Sequence, residues 1–314
     1  MIGMLNRNLI FKLTKIFITL SLIYYILLNI EISGFFEIFD SLNVIYLILA
    51  FFLILFGVFI SSYKWGFLIS IYDKHPSLFK LIRSYFIGMF FNSFLPSTIG
   101  GDIYRAKDIS KKIGGTFGDN VLPIIFERLL GIIALVLISI ISIIWSYDRY
   151  YSLNIVLFIL IFTFILVSII IIFYSGIYKR IYFLIPIKLK PKIDYYNKSL
   201  ELYKKTPNIL IKALFLSLLF QFIVVLYNFL ISRALNLNID FIYLMLVIPL
   251  ISLFLMIPIT INGIGLRETS FIFFMTKIGL SNTEAVFFSL LSFLIVTFIN
   301  LLGGVIYIYS IYEK

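Results

Sequence analysis

Cysteine is absent from the 314-residue sequence, and histidine occurs once. Disulfides and thiolate metal sites are therefore excluded, as is a metal site built from several histidines. Charged residues are scarce at 13%, whereas hydrophobic residues make up 62% and the mean hydropathy is +1.10. A globular protein is closer to half apolar. The composition predicts an all-α polytopic membrane protein with no room for a sizeable soluble domain.

Acidic residues are also few, with 15 Asp and Glu against 26 Lys and Arg, which gives a net charge of +11. In a soluble protein this excess would suggest nucleic-acid binding. In a membrane protein it fits cytoplasmic loops, which are rich in Lys and Arg and lie near anionic headgroups. We therefore expect a plasma-membrane protein with both termini in the cytoplasm and no nucleic-acid partner. The most basic loop, Lys179–Lys205, is expected to bind anionic lipid at the membrane surface rather than form the functional site.

Long, mostly apolar stretches predict six full membrane spans, because a helix needs about 20 mostly apolar residues to cross the hydrocarbon core. The predicted spans are Ile16–Ile30, Leu42–Tyr63, Val121–Trp145, Leu153–Tyr174, Asn208–Ile231 and Thr283–Ile311. Three acidic residues and no basic one follow the first span, so residues 31–41 are predicted to be an outer loop. Lys64 and Trp65 are interpreted as an anchor at the inner end of the second span.

Two shorter segments predict re-entrant hairpins. The first, Leu78–Leu95, contains charged and polar residues and is stopped by Pro96, and lysines on both of its flanks indicate cytoplasmic ends. The second consists of Phe241–Ile257 and the short return segment Arg267–Gly279. Non-helical backbone at membrane depth is tolerated only where protein or a water-filled cavity covers it, so both turns are expected to be enclosed.

The two turns carry the same motif, P-x-T-x-x-G-x-x-x-R, with all four positions offset by 162 residues. The two copies are Pro96, Thr98, Gly101 and Arg105, and Pro258, Thr260, Gly263 and Arg267. The same offset places Val121–Trp145 on the last span. A repeated helix-breaking motif is typical of transporters built from inverted repeats that meet near the midplane. We predict one domain, 1–314, with a first repeat 1–150 and an inverted second repeat 151–314.

Ionisable residues near the two turns are candidates for a functional site, because each costs about 2.5–3.5 kcal/mol at the centre of a membrane helix. The candidate substrate-binding residues are Ser97, Thr98, Asp102, Arg105, Glu127, Arg128, Thr260, Asn262, Arg267 and Glu268, and the turn residues are Pro96, Gly100, Gly101, Pro258, Gly263 and Gly265. The arginines would hold a phosphate through paired hydrogen bonds, and the carboxylates would orient them or carry protons. The alternative is internal pairing, for example of Arg267 with Glu127, which would lock the two halves together.

Three segments of the sequence carry a family resemblance: FFNSFLPSTIGGDIYRA around the first turn, PIIFERLLG in the third span and PITINGIGLRE around the second turn. In this order they resemble the flippase-like transmembrane domain of lysylphosphatidylglycerol synthases. The resemblance implies an integral membrane protein that moves or binds a lipid with a charged or sugar headgroup. No segment is similar to the soluble aminoacyl-transferase domain or to a glycosyltransferase domain, so we expect no enzyme activity and no cofactor.

Translocation of a lipid with a charged or glycosylated headgroup is the favoured function. Two alternatives stay open: a non-transporting membrane partner that binds polyprenyl-linked sugar for a glycosyltransferase, and a secondary transporter of a small solute. A lipid translocator requires a lateral opening, whereas a solute carrier requires an occluded pocket. Expected partners are anionic or polyprenyl-phosphate-linked lipids, and both a homo-oligomer and a partner synthase or glycosyltransferase are compatible with the sequence.

Overall fold

The computed structural model describes residues 2–94, 100–114, 117–150, 160, 163, 197 and 200–312. No strand occurs in this part of the chain, which confirms the all-α prediction. The α-helices with both ends described are α1 Ile2–Asn29, α2 Ile32–Asp40, α3 Val44–Ser70, α4 Leu78–Phe94, α5 Gly100–Ile113, α6 Phe117–Tyr150, α7 Pro207–Ala234, α8 Phe241–Leu255, α9 Leu266–Met275 and α10 Asn282–Tyr312.

Four helical segments in the described chain are long and apolar enough to cross a membrane, namely Val44–Ser70, Gly118–Trp145, Pro207–Ala234 and Asn282–Tyr312. They confirm four of the six predicted spans. The first predicted span lies in α1, whose apolar part Leu13–Asn29 is shorter than these four segments. The predicted span Leu153–Tyr174 and most of the basic loop Lys179–Lys205 lie outside the described residues.

The prediction of a loop at residues 31–41 is wrong, because the structure has helix α2 there. The acidic residues favoured a loop, but five of the nine residues in α2 are isoleucine or phenylalanine, and such an apolar segment gains by docking on protein. The backbone N–H of Glu31 donates to Thr283 Oγ1 at 3.1 Å, where α10 begins. The segment therefore rests on the start of the last span.

Helices α4 and α5 form the two legs of the first predicted hairpin and pack closely on each other. A Cβ added at Gly101 would overlap the carbonyl oxygen of Gly88, so only glycine permits this approach. The backbone N–H of Gly101 donates to Asn92 Oδ1 at 2.8 Å, which ties the start of α5 to the end of α4. Residues 95–99, which include Pro96, Ser97 and Thr98, lie outside the described chain.

Helices α8 and α9 form the second predicted hairpin, and α1 covers the turn between them. Asn262 and Gly263 have φ angles of 52° and 77°, and Gly265 has φ 81°, which confirms the predicted turn. The backbone N–H of Ile261 donates to Thr19 Oγ1 of α1 at 3.2 Å. A Cβ added at Gly265 would lie 2.7 Å from Leu22 Cβ, also on α1. Protein therefore covers this turn on the side of α1, whereas Met256, Ile257 and Ile259 just before it are exposed.

The first leg of each hairpin packs on a long helix of the other half of the chain. The first leg α4 packs along α10, whereas the first leg α8 packs along α6. The second leg of each hairpin packs on the long helix of its own half, α5 on α6 and α9 on α10. Helix α3 packs extensively on α7, its counterpart in the second half. A two-fold relation between repeats requires such pairings, while the inversion and the division at residue 150 stay predictions.

Gly303 and Gly304 of α10 give the last span its close contact with α4. A Cβ added at Gly303 would overlap the carbonyl oxygen of Phe86, and one added at Gly304 would lie 2.5 Å from the Phe90 ring. Small residues at such crossings let membrane helices approach until their backbones touch. This glycine pair therefore serves helix packing.

Replacing Gly303 by alanine should destabilise the protein, because backbone atoms of α4 cannot move aside as a flexible side chain can. Overpacking of this kind costs about 1–3 kcal/mol. Gly131→Ala is the matched control, since a Cβ added at Gly131 has no neighbour within 4 Å. Thermal unfolding in detergent should show a lower midpoint for Gly303→Ala only; equal midpoints for the two variants would contradict this account of the crossing.

The inverted-repeat model places Lys111 and Lys277 on opposite sides of the membrane. Both residues are exposed, and the chain has no native cysteine. Single cysteines at positions 111 and 277 can therefore be labelled with a membrane-impermeant thiol reagent without background. Position 277 should react in intact cells and position 111 only after permeabilisation, whereas labelling of both from the same side rules out the inversion.

Candidate functional site

Arg105 of α5 is the centre of a buried ionic cluster. Its Nη1 lies 2.9 Å from Glu127 Oε2 on α6, and its Nε donates to Asp102 Oδ1 at 3.1 Å, one turn earlier on α5. All three side chains are almost completely buried. In a low-dielectric interior such an arginine is tolerated because two carboxylates hold it.

Two aromatic rings complete the surroundings of Arg105. The guanidinium carbon lies 5.0 Å from the ring centroid of Trp65 and 4.7 Å from that of Tyr85, which places the cation within range of both π faces. The Tyr85 hydroxyl donates to Glu127 Oε1 at 2.9 Å. Tyr85 therefore contacts both members of the ion pair, and it fixes the orientation of the Glu127 carboxylate.

Lys64 and Trp65 belong to this cluster rather than to the membrane interface, so their interpretation as an anchor is wrong. Lys64 is 4% exposed and Trp65 is fully buried. Lys64 Nζ lies 3.9 Å from Glu127 Oε1, which brings a second cation to that carboxylate. Helix α3 continues to Ser70, about 9 Å beyond Lys64, so the lysine cannot mark the helix end. The apolar residues after Trp65 were the sequence signal that the helix continues beyond Lys64.

Arg128 of α6 is the exposed member of the cluster. Its side chain is 47% exposed, and its Nε donates to Asp102 Oδ2 at 2.7 Å. Asp102 thus bridges the buried guanidinium of Arg105 and the half-exposed guanidinium of Arg128. The cluster contains two guanidinium groups and two carboxylates, with the buried amine of Lys64 beside them. The residues concerned are Lys64, Arg105, Arg128, Asp102 and Glu127.

The second arginine of the repeated motif has a smaller ionic partner set. Arg267 Nη2 lies 3.0 Å from Oε1 of the adjacent Glu268, and the guanidinium carbon lies 3.9 Å from the Phe293 ring centroid. Glu268 Oε2 accepts from the backbone N–H of Gly265 at 2.7 Å, and its Oε1 accepts from Ser289 Oγ at 3.3 Å. The Arg267 side chain is 13% exposed, compared with 6% for that of Arg105.

The two arginines therefore occupy equivalent motif positions, but the carboxylates that pair with them do not. The residue 162 positions after Glu127 is Ser289, and in the second half the carboxylate comes from Glu268 instead. The anticipated pair between Arg267 and Glu127 is not formed in the described structure. Each arginine pairs within its own half, so these ion pairs do not lock the halves together.

A hydrogen-bonded junction joins the two hairpins. Asn262 Nδ2, in the second turn, donates to the backbone carbonyl of Ser93, in the last turn of α4, at 2.8 Å. Asn300 Nδ2 of α10 donates to Ser93 Oγ at 2.7 Å. Thr260, two residues before Asn262, is buried. The first turn itself lies outside the described residues, so a binding role for Ser97 and Thr98 stays a prediction.

The structure thus adds residues to the site that sequence reasoning missed: Lys64, Trp65, Tyr85, Asn92, Ser93, Ser289 and Asn300. Polar residues in apolar helices were the available signal, but their partners lie far away along the chain. In the described part of the chain, no group of three or more His, Cys, Asp or Glu residues is arranged to hold a metal ion.

Removing Arg105 alone should destabilise the protein strongly. Arg105→Ala leaves Glu127 and Asp102 with fewer cations in a low dielectric, and breaking such a buried pair costs about 3–5 kcal/mol. The double variant Arg105→Ala/Glu127→Gln should recover much of this loss. Arg128→Ala should change the unfolding midpoint little, because that side chain is half exposed and Arg105 still holds Asp102. A double variant no more stable than Arg105→Ala would contradict the pairing assigned to Arg105.

The comparisons with known proteins agree with this architecture. A family model described as the lysylphosphatidylglycerol synthase TM region matches residues 12–304. No curated protein and no solved structure shows significant similarity to the chain. The match covers almost the whole sequence, including both hairpins and both arginines, and it indicates a membrane protein with a lipid-related function. The chain belongs to the lysylphosphatidylglycerol synthase transmembrane-region family.

Proposed function

We propose that the protein translocates a lipid with a charged or glycosylated headgroup across the membrane, and that the headgroup phosphate binds at Arg128. The observation that supports this most is a half-exposed arginine far from either end of an apolar helix. Arg128 lies about 15 Å from the start and about 25 Å from the end of the span Gly118–Trp145. Ionisable groups at such depth are rare and usually serve a substrate pathway.

The exposed guanidinium of the cluster favours an anionic ligand. Arg128 is the most accessible cation of the cluster, with 47% of its side chain exposed. A guanidinium holds a phosphate through two parallel hydrogen bonds. Arg105 would not contact the ligand in this arrangement. It would act as a positioning residue that keeps Asp102 in place beside Arg128.

A phosphate that replaces Asp102 as the partner of Arg128 would bind reversibly. Asp102 accepts from both arginines, so it keeps its bond to Arg105 when a phosphate takes its place at Arg128. Hydrogen bonds to charged groups are worth about 1.5–3 kcal/mol each, so one such bond replaces another of similar strength. A site of this kind can take up a headgroup without trapping it.

Exposed apolar residues beside the turns favour a lipid over a small solute. At the end of α4, on α5 and after α8, large apolar side chains lie on the surface, namely Phe94, Ile103, Met256, Ile257 and Ile259. Such a surface permits acyl chains to stay in the bilayer while the headgroup meets the polar cluster. A solute carrier would instead enclose its ligand. The same proposal places the protein in the plasma membrane with both termini in the cytoplasm, and it includes a role for any partner synthase.

Arg267 would offer a second headgroup contact from the other half. Its guanidinium is partly exposed and has one carboxylate partner, so part of its donor capacity is available to a ligand. Lysine cannot reproduce the planar two-bond geometry. We therefore expect Arg267→Lys to impair transport nearly as much as Arg267→Ala, while insertion and folding are retained.

Lipid translocation in proteoliposomes tests these roles directly. Headgroup-labelled anionic, zwitterionic, aminoacylated and polyprenyl-phosphate lipids are supplied in turn, and outer-leaflet label is destroyed by a membrane-impermeant reductant. Wild-type protein should expose the inner-leaflet label of at least one lipid class. Arg128→Gln should slow this at least about tenfold, or about 1.4 kcal/mol in the barrier. Arg233→Gln is the matched control, since Arg233 lies in the last turn of α7.

The outcomes separate the alternatives. Full transport by stable Arg128→Gln and Arg267→Lys proteins would overturn the phosphate contacts. If wild-type protein moves none of these lipids, the translocation proposal fails. Mass spectrometry of lipid that co-purifies with the protein then distinguishes a non-transporting partner, which should retain polyprenyl-linked sugar, from a solute carrier, which should retain no particular lipid.

A further inference from the structure

The geometry points to a monovalent-cation site at the hairpin junction, which we define as Ser93, Thr260, Asn262 and Asn300. The junction lies where the C-terminal end of α4 meets the second turn, and α10 closes it from the side. We propose that uncharged oxygens at this place bind a cation of the Na⁺ or K⁺ type. The ion would bind beside the headgroup site and is separate from it.

The hydrogen bonds of Ser93 determine which way the two amide side chains face. The Ser93 hydroxyl donates its only hydrogen to the carbonyl of Met89 at 3.1 Å, so a second neighbour at Oγ must be a donor. Asn300 therefore presents its NH₂ group to Ser93, at 2.7 Å. Asn262 likewise presents its NH₂ group, because the Ser93 carbonyl can only accept. The oxygens of both amides are left to face another partner.

Two of the oxygens at the junction are buried and have no hydrogen-bond partner among the residues that the structure describes. They are Oδ1 of Asn300 and Oγ1 of Thr260, whose residue is only 6% exposed. A buried polar atom left unsatisfied costs about 1–3 kcal/mol. An amide oxygen can only accept, so the missing partner of Asn300 is a hydrogen-bond donor or a cation.

The helix ends at the junction favour a cation over a neutral donor. Helices α4 and α8 end here without a basic residue in the last turn, so no cationic side chain of those turns offsets the partial negative charge of their carbonyl ends. The end of α8 is adjacent, since a Cβ added at Gly263 would lie 3.0 Å from Leu255 Cδ2. The opposite ends differ: α5 and α9 have Asp102 and Glu268 in their first turns, which offset their positive charge.

The ligand chemistry indicates a monovalent ion. Mg²⁺ and Ca²⁺ are usually bound through carboxylates, and transition metals prefer imidazole or thiolate. The junction offers amide, hydroxyl and backbone carbonyl oxygens and no charged ligand. Unwound backbone and half-helix C-termini are where membrane transporters coordinate Na⁺. The ammonium group of a lipid headgroup would satisfy the same oxygens, so the experiment must distinguish a free ion from a headgroup.

Cation-dependent stability of the purified full-length protein tests the site without any transport measurement. Thermal unfolding is followed in NaCl, in KCl and in methylammonium chloride, each against choline chloride at equal ionic strength. Binding to the folded state alone stabilises it by mass action. The midpoint should rise by roughly 2–5 °C in Na⁺ or K⁺ once the ion is well above its Kd. A rise in methylammonium alone assigns the same oxygens to a headgroup ammonium.

Variants of the junction test the individual ligands. For each variant, the measured quantity is the difference between its unfolding midpoint in the cation and its midpoint in choline. Thr260→Val, which is nearly isosteric, should reduce the shift, and Asn300→Asp should enlarge it by adding a negative charge. Asn228→Leu is the matched control, since the Asn228 amide donates to the Val224 carbonyl and accepts from the Ser292 hydroxyl and so has no orphaned oxygen. Its shift should equal that of the wild type, even if its basal stability is lower.

Two results would overturn the proposal. One is a wild-type midpoint that is the same in all four chlorides, which would leave only water for the buried oxygens. The other is an Asn300→Asp variant with a smaller cation shift than the wild type. Neither result bears on lipid translocation, which is scored at Arg128 and Arg267, so failure of the cation site and failure of the proposed function are distinguishable.

Discussion

The buried ion pair between Arg105 and Glu127 is the interaction on which the first half of the molecule depends. A guanidinium removed from water is tolerated only if carboxylates and rings replace the lost hydration, and here those groups come from different helices. Trp65 lies on α3, Tyr85 on α4, Arg105 on α5 and Glu127 on α6. Any displacement of one helix would leave a charge unmatched, so the pair sets the register of all four. Buried pairs of this kind contribute more to a unique arrangement than to net stability.

The second half satisfies the same requirement more locally, and this difference separates the roles of the two arginines. Glu268 is adjacent to Arg267 and also accepts from the backbone of Gly265, so one acid serves the arginine and the start of α9. In the described chain, Ser289 and Phe293 of α10 complete these surroundings. Arg267 is therefore paired with an acid of its own helix and stays partly exposed. One motif thus holds its arginine in two different ways, which is why we propose a positioning role for Arg105 and a ligand contact for Arg267.

The sequence was sufficient for features that depend on neighbouring residues. Apolar runs predicted the four spanning segments, and the turn at Asn262 and Gly263 followed from residue types that accept positive φ. It was insufficient where the deciding partner is distant. Lys64 was placed at the interface because its partner Glu127 lies 63 positions away in the chain, and α2 was missed because its docking site on α10 is farther still. The sequence shows that Ser289 stands where the first repeat has Glu127. Only the structure shows that Glu268 supplies the missing carboxylate.

The two proposed sites would bind ligands of opposite charge, and the start of α5 joins them. Gly101 bonds Asn92, which precedes Ser93 of the junction, and Asp102 of the ionic cluster follows Gly101. The start of α5 therefore connects the anion site at Arg128 to the cation site at Asn300. Opposite charges bound at the two sites would attract each other through the low-dielectric interior. A phosphate and a cation bound together would then each raise the affinity for the other, and by linkage the effect is equal in both directions. A headgroup that arrives with its counter-ion would cross the apolar interior at a smaller electrostatic cost than either charge alone.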